Sequence, residues 1–243
     1  MHPILFRTPW VTVYTYGFFV ALAVLAAFFI SMRRAESFDL SKNTVADLIF
    51  FLFIFGVLGA RLFYALQHFE DYKDNGWRVF FIQEGGLVWY GGFIAAVGFG
   101  VAYALTKGLP LLALCDFFSP VLALAHAIGR IGCFFNGCCF GREARPPLGV
   151  FFGDESVAKI PTQAYEAGFL LLFSIFLFRS ARMSHKAGEV FLNYIIGYSA
   201  FRFGIEFLRG DQSTAFFLTI PQWMSIFFFC GAVFLWRIIR KKA

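Results

Sequence analysis

Long apolar runs, each broken by a short polar or glycine-rich stretch, divide this chain into seven segments. They lie near Val11–Met32, Ala46–Leu66, Leu87–Leu105, Leu109–Gly132, Gln163–Phe178, Glu189–Leu208 and Pro221–Ile239. A helix needs about twenty apolar residues to cross the hydrocarbon core of a bilayer, and these runs are of that order. They are continuously apolar, without the alternation a membrane β-barrel strand requires, so the pattern predicts helices. The fourth run is long enough to be tilted or broken, and the fifth is rather short. The expectation is an all-α polytopic membrane protein with seven transmembrane helices. No linker, low-complexity tract or internal repeat divides residues 1–243, so one integral membrane domain is expected.

Composition strengthens the membrane assignment. Hydrophobic residues make up 59% of the 243 and charged residues 15%, with 37 phenylalanines; mean hydropathy is +0.70. An ordinary soluble domain has about a quarter charged residues. The net charge of +6 reflects basic residues scattered at loop ends, with no basic stripe interleaved with aromatics, so no nucleic-acid partner is expected. With the N-terminus outside, eleven of the 21 lysines and arginines fall in inner segments and seven in outer ones. The positive-inside rule then places the N-terminus outside and the C-terminus in the cytoplasm. Met1–Trp10 lacks the double-basic start of a secretory signal and no small-residue cleavage site follows, so the first span is expected to be retained.

The remaining three basic residues, Arg61, Arg130 and Arg202, sit inside apolar runs. A guanidinium there disfavours insertion by at least about 2.5–3.5 kcal/mol and normally faces a protein interior or wet cavity. Arginine also grips phosphate or carboxylate through paired hydrogen bonds. Arg202, Glu206 and Arg209 recur at helical spacing, as do Arg61, Tyr64 and His68, and His126 precedes Arg130 by one turn, ahead of a polar break at Asn136-Gly137. Once the chain is oriented, these groups fall in the outer half with Tyr90, Gln163 and Glu166. Two arrangements fit: an electropositive cavity for an anionic headgroup, or structural ion pairs such as Arg202 with Glu206 that tie helices together. Snorkelling to the interface explains a single arginine more readily than three.

The stretch from Gly129 to Gly141, Gly-Arg-Ile-Gly-Cys-Phe-Phe-Asn-Gly-Cys-Cys-Phe-Gly, closely resembles the signature of the prolipoprotein diacylglyceryl transferase family. Tyr16-Gly17, Gly59–Tyr64, Gly85–Gly92, Pro161–Glu166 and Phe201–Arg209 resemble further family segments in the same order, so the likeness runs from about Tyr16 to Asp211. It implies a seven-helix enzyme of the bacterial inner (cytoplasmic) membrane that takes phosphatidylglycerol and prolipoprotein as substrates. The diacylglyceryl group passes to the thiol of the lipobox cysteine, giving a thioether and releasing glycerol phosphate. No cofactor is implied. The resemblance makes Arg130 and Arg202 the phosphate clamp, with Glu206 and Arg209 orienting it. Tyr16, Asn136 and Gly141 match further family positions and become candidates for headgroup binding and close backbone approach; Arg61 joins the candidates for substrate binding as an arginine inside an apolar run.

The chain also departs from the family pattern. Asparagine is common where Cys133 stands, and glutamate where Cys138 stands; a histidine often implicated in catalysis is here Tyr90. Tyrosine, with a pKa near 10, is a poor base at neutral pH. The proton of the attacking thiol is therefore left to Tyr90, His126, Glu166 or the field of the arginines. Cys133, Cys138 and Cys139 cluster at the outer end of the fourth run. A thiol oxidoreductase is disfavoured by the absence of a Cys-x-x-Cys pair, and zinc by the absence of a fourth ligand at suitable spacing. Packing between helices is the expected role of the cysteines, and no metal site is expected. A non-enzymatic transporter of anionic lipid is the other alternative, disfavoured by the odd span count and outer-biased polar cluster.

Overall fold

A computed structural model of the chain describes residues 2–8, 12–81, 85–153, 156–183, 185–210, 214–215 and 217–241. Met1, Trp10, Val11 and Asp211, which bound segments in the sequence reading, lie outside them. Seven long helices account for most of the described chain: α1 (Thr15–Arg34), α2 (Lys42–Gln67), α4 (Trp89–Thr106), α5 (Leu111–Asn136), α6 (Thr162–Ser180), α7 (Glu189–Glu206) and α8 (Ile220–Lys241). A one-turn helix, α3 (Phe69–Tyr72), follows α2, and two small antiparallel hairpins pair β1 (Ile4–Arg7) with β2 (Thr12–Tyr14) and β3 (Thr214–Ala215) with β4 (Leu218–Thr219). The expected first span therefore begins later than predicted, because Thr12–Tyr14 is strand. The sixth ends earlier, at Glu206, leaving Arg209 beyond the helix rather than on its face.

Among the described residues, five helices are long and apolar enough to cross a membrane: α1 with the turn that follows it, α2, α4, α5 and α8. The other two long helices, α6 and α7, have 19 and 18 residues and contain Glu166 and Arg179, and Glu189, Arg202 and Glu206. Burial differs from that of a water-soluble protein. Phe29, Phe50, Phe53, Phe55, Phe227 and Phe234 face outward, whereas Asp116, Ser119, Gln163, Glu166, Glu206 and Gln222 are buried. Lipid is as apolar as the phenylalanines, so it gives no reason to bury them, but polar groups must find partners inside.

The chain forms two compact units, residues 31–111 and the remainder. In the first unit α2 and α4 pack through small residues. A Cβ on Gly59 would collide with Ala95 Cβ and sit 2.6 Å from Gly91 O, and one on Gly92 would sit 2.7 Å from Gly56 O. The backbones therefore touch, which is the gain small residues offer in lipid. Ser41 caps α2 by accepting from Thr44 N at 3.1 Å. At the other end Arg61 is 2% exposed. It donates to the carbonyls of Val79, Arg78 and Phe81 at 2.9, 2.8 and 3.0 Å, and also to Gly85 and Gly86.

In the second unit α5 is the hub. Asp116, fully buried on it, accepts from Gly188 N at 2.6 Å and Phe191 N at 2.8 Å, capping the start of α7 from 72 residues away. Near its other end Gly132 faces Phe19 of α1, where a Cβ would lie 2.7 Å from Phe19 Cβ, and Phe19 stacks on Phe135 at 5.5 Å. Phe169 of α6 stacks on Phe201 of α7 at 4.0 Å. Thr219 and Gln222 form a reciprocal capping box for α8, Thr219 N to Gln222 Oε1 at 2.9 Å and Gln222 N to Thr219 Oγ1 at 3.3 Å.

The α2–α4 contact gives a stability test. Gly59→Ala should lower thermal stability in detergent by about 1–3 kcal/mol, the usual range for overpacking. Gly98→Ala on α4, where a Cβ meets nothing within 4 Å, should be neutral or gain up to about 1 kcal/mol from helix propensity. Equal unfolding temperatures for the two variants would refute the close-packed crossing.

Candidate functional site

Glu166, one turn into α6 and 2% exposed, is the point on which the polar interior of the second unit converges. Its Oε2 lies 2.9 Å from Arg130 Nε on α5 and 3.9 Å from Arg202 Nη1 on α7. Its Oε1 accepts from the Tyr198 hydroxyl of α7 at 2.8 Å and lies 3.6 Å from His126 Nε2 on α5. One carboxylate thus joins three helices. Arg202 Nη2 pairs in turn with Glu206 Oε2 at 2.9 Å, the i, i+4 pair expected from spacing. Glu206 Oε1 accepts from Thr219 Oγ1 at 3.1 Å, so the chain of contacts continues into the α8 cap.

Two guanidiniums are therefore matched by two carboxylates. The expected ion pair of Arg202 with Glu206 is part of a wider ion-pair scaffold, and its positive character is local. Arg130 and Arg202 keep side-chain exposures of 18% and 16%, against 2% and 0% for their carboxylate partners. Arg130 presents only its Nε to Glu166; no described residue accepts from its two terminal nitrogens. Those donors, held by a buried carboxylate and open on the far side, form a preorganised site for a phosphate or carboxylate.

The stretch after α5 packs against this network through its backbone. Gly141 N donates to Ile160 O at 2.8 Å, Ile160 N to Arg142 O at 3.0 Å, and Arg142 N to Leu208 O at 2.8 Å. A Cβ on Gly141 would strike Leu208 O and lie 2.9 Å from Thr162 Cγ2, so the close approach expected at this glycine is to the chain itself. Thr162 Oγ1 donates to Cys139 O at 2.9 Å, and Gln163 Nε2 donates to Cys138 O. These bonds hold a turn with Gly137 and Cys139 both at positive φ, 75° and 66°. The turn returns Cys138 and Cys139 to Cys133, and the three sulfurs lie within 4.8 Å of one another. Cys138 Sγ donates to Cys133 O at 3.7 Å and Cys139 Sγ to Cys138 Sγ at 3.6 Å, with Arg130 and Arg209 in electrostatic reach of Cys139.

The other sequence-predicted residues divide between the two units. Tyr16, at the start of α1, is half exposed and lies within electrostatic reach of Arg130 and all three cysteines. Asn136 ends α5 beside the Cys138 thiol. Arg209 lies one turn beyond α7, near Cys139. These belong with Arg130, Arg202, Glu206 and Gly141. Arg61 and Tyr90 belong to the first unit. Arg61 lines a cavity of about 460 Å³ with Tyr64, Asp71, Tyr72, Arg78 and Gly85, but its guanidinium is occupied by five carbonyls. Tyr90 is exposed in the first turn of α4, its ring edge-on to Trp89. The central role of Glu166, and the support from Tyr198 and Thr219, were not foreseen. Glu166 carried the only signal, as the one acidic residue of its apolar run.

A family model described as prolipoprotein diacylglyceryl transferase matches residues 3–238. The phosphatidylglycerol–prolipoprotein diacylglyceryl transferase of Clostridium tetani is 32% identical over 248 residues, covering 100% of this chain and 99% of that protein. The second such transferase of Clostridium perfringens is 30% identical, covering 95% and 92%, and that of Bacillus cereus 32% identical, covering 95% and 88%. Likeness of this extent, over a signature that carries Arg130 and the buried network around it, means that the chain belongs to the prolipoprotein diacylglyceryl transferase family.

Proposed function

We propose that the chain transfers the diacylglyceryl group of phosphatidylglycerol to the lipobox cysteine thiol of prolipoproteins, releasing glycerol phosphate. The observation that carries this reading is Arg130: half-buried, its Nε 2.9 Å from the buried Glu166 carboxylate and its terminal nitrogens open. In the transfer a thiolate attacks the glycerol carbon, a C–S bond forms and the C–O bond to phosphate breaks. Negative charge then builds on the departing phosphate, and fixed donors placed there lower the barrier more than they stabilise the bound lipid. Arg130 and Arg202 are the clamp, Glu166 and Glu206 hold them in position, and Arg209 adds positive charge on the same side. Tyr16, Asn136 and Gly141 shape the headgroup end. Arg61 supports the loop before α4, and Tyr90, exposed in the first turn of α4, stands where the family often has its histidine and is kept as the candidate for thiol activation.

The same reading places the protein in the bacterial inner membrane, with all seven long helices spanning, the N-terminus outside and the C-terminus in the cytoplasm. Charge supports that topology: Arg33 and Arg34 end α1, and Arg240 and Lys241 end α8, on the side the positive-inside rule assigns to the cytoplasm. Glu166 near the start of α6 and Arg202 and Glu206 in the last turns of α7 are compatible with spanning because they are paired inside the protein.

The direct test is to incubate purified protein with phosphatidylglycerol and a lipobox peptide and to look for thioether-linked lipid by mass spectrometry. Arg130→Ala and Arg202→Ala should each lose about two to three orders of magnitude in rate while remaining folded; near-normal turnover in either would remove it from the clamp. Glu166→Gln should lower both rate and thermal stability, since breaking a buried ion pair typically costs about 3–5 kcal/mol; unchanged stability would show that the three helices do not depend on this carboxylate.

Tyr90→Phe tests thiol activation. The ring remains and one hydrogen bond is lost, about 1.5–3 kcal/mol for a charged partner, or roughly ten- to a hundred-fold in rate. A free thiol with a pKa of about 8.5 is partly ionised at neutral pH without a dedicated base. The ascending limb of the pH–rate profile should therefore persist in the variant. Its disappearance, or background activity at every pH, would make Tyr90 the base.

A further inference from the structure

We propose that Cys133, Cys138 and Cys139 hold one zinc-type ion as three thiolates and that its fourth position receives the acceptor thiol of the peptide substrate. The second half rests on the transferase reading. Zinc–sulfur bonds of about 2.3 Å set the sulfur–sulfur edge of a tetrahedron at about 3.8 Å. The Cys138 and Cys139 sulfurs are 3.6 Å apart, and all three lie within 4.8 Å of one another, so side-chain adjustments of under about an ångström close the site on one ion. All five cysteines are free thiols. Soft thiolates select a soft or borderline d10 ion over calcium or magnesium.

The turn is held from outside the cluster. Cys139 is at φ 66°, a conformation non-glycine residues rarely adopt and that persists where surrounding contacts fix it. The contacts are Thr162 and Gln163, both buried on α6, which bind the carbonyls of Cys139 and Cys138. They place two consecutive cysteines on the same side, against Cys133 in the last turn of α5. Gln163 Oε1 is buried at this junction without a hydrogen-bond partner. Among the described residues no histidine, carboxylate or further cysteine joins the three sulfurs. Three protein ligands with a vacant fourth position is the ligand count of catalytic rather than structural zinc.

Such an ion would meet a need that the ion-pair network leaves open. Arg130 and Arg202 are balanced by Glu166 and Glu206, so their field alone is a weak source of thiolate. A thiol that coordinates zinc gives up its proton to solvent and is held as thiolate. The bound sulfur then supplies the electron pair for the new C–S bond, while the pair of the breaking C–O bond leaves on glycerol phosphate beside Arg130. The metal changes neither charge nor oxidation state. The thioether product is a poorer ligand and departs. A divalent ion with three thiolates carries a single negative charge, and Arg130 and Arg209 lie within electrostatic reach of the cluster.

The full-length protein, stripped by chelator under reducing conditions, should bind about one equivalent of cobalt(II) with sulfur-to-metal charge-transfer absorption. Cys133→Ser and Cys138→Ser should lose that absorption, and Cys230→Ser, exposed on α8, should keep it. A lipobox peptide should strengthen the band as a fourth thiolate joins; the same peptide with serine for cysteine should not. Stripped protein should transfer at least about tenfold more slowly and recover with zinc, a loss no smaller than that for groups one shell further out. Absence of saturable cobalt uptake, or equal uptake by Cys133→Ser, overturns the metal site. Full-rate transfer by stripped protein, or no peptide response, overturns the thiol role and leaves the transferase reading standing. Metal binding with a peptide response but no thioether lipid under any condition overturns the transferase reading instead.

Discussion

The ion pair between Glu166 and Arg130 is the constraint on which the second unit depends. A carboxylate that is 2% exposed is tolerable in an apolar protein only if its oxygens are filled, and here both are, by Arg130, Arg202 and Tyr198. Desolvation would make a lone pair of this kind a doubtful source of stability. Its value lies in geometry: one carboxylate fixes the rotamers of two guanidiniums from different helices. Glu206 extends the constraint through Thr219 to the start of α8, so the four helices α5 to α8 share one set of polar contacts.

This dependence follows from the solvent. Phenylalanine gains nothing by leaving lipid, so the outward faces of α2 and α8 carry it freely and specificity must come from elsewhere. Two devices supply it. In the first unit, glycines let α2 and α4 touch backbone to backbone, converting shape into dispersion energy. In the second, Asp116, Glu166 and Glu206 each bind groups from another helix or from the α8 cap. Asp116 caps α7 at one end of α5 and Arg130 meets Glu166 near the other, which fixes α5 along its length.

Much of the fold was legible because lipid imposes a coarse rule: apolar length predicts a helix. All seven runs became helices, most within a few residues of their expected limits. The differences arose where polar contacts set the boundary. Asn136 extends α5 by one turn past the expected Gly132, and the Cys138 turn then stops it. Glu206 ends α7 before Arg209: the N–H groups of Phe207, Leu208 and Arg209 turn to carbonyls three residues back, and Leu208 O is taken by Arg142 N. Site residues were legible where an arginine stood inside an apolar run, as Arg130 and Arg202 did. Arg61 gave the same signal, yet its partners are main-chain carbonyls, which a sequence does not mark. Glu166 was visible but its pairing was not, since partners 36 residues apart share no spacing rule.

The cysteine cluster shows the same limit most sharply. From spacing alone, Cys133, Cys138 and Cys139 are too irregular for a finger or ribbon motif and lack a nearby fourth ligand. Their convergence comes from a left-handed residue at Cys139 and two hydrogen bonds from α6, neither of which a pattern reveals. The cluster also lies beside a charge-balanced network, in a chain with tyrosine at Tyr90 where its family often has histidine. A network of two cations and two anions can orient a phosphate but draws a proton from a thiol only weakly. Three thiols brought together next to Arg130 supply instead a set of soft ligands, and a metal ion held by them would bind an acceptor sulfur directly at the point where thiol ionisation must occur.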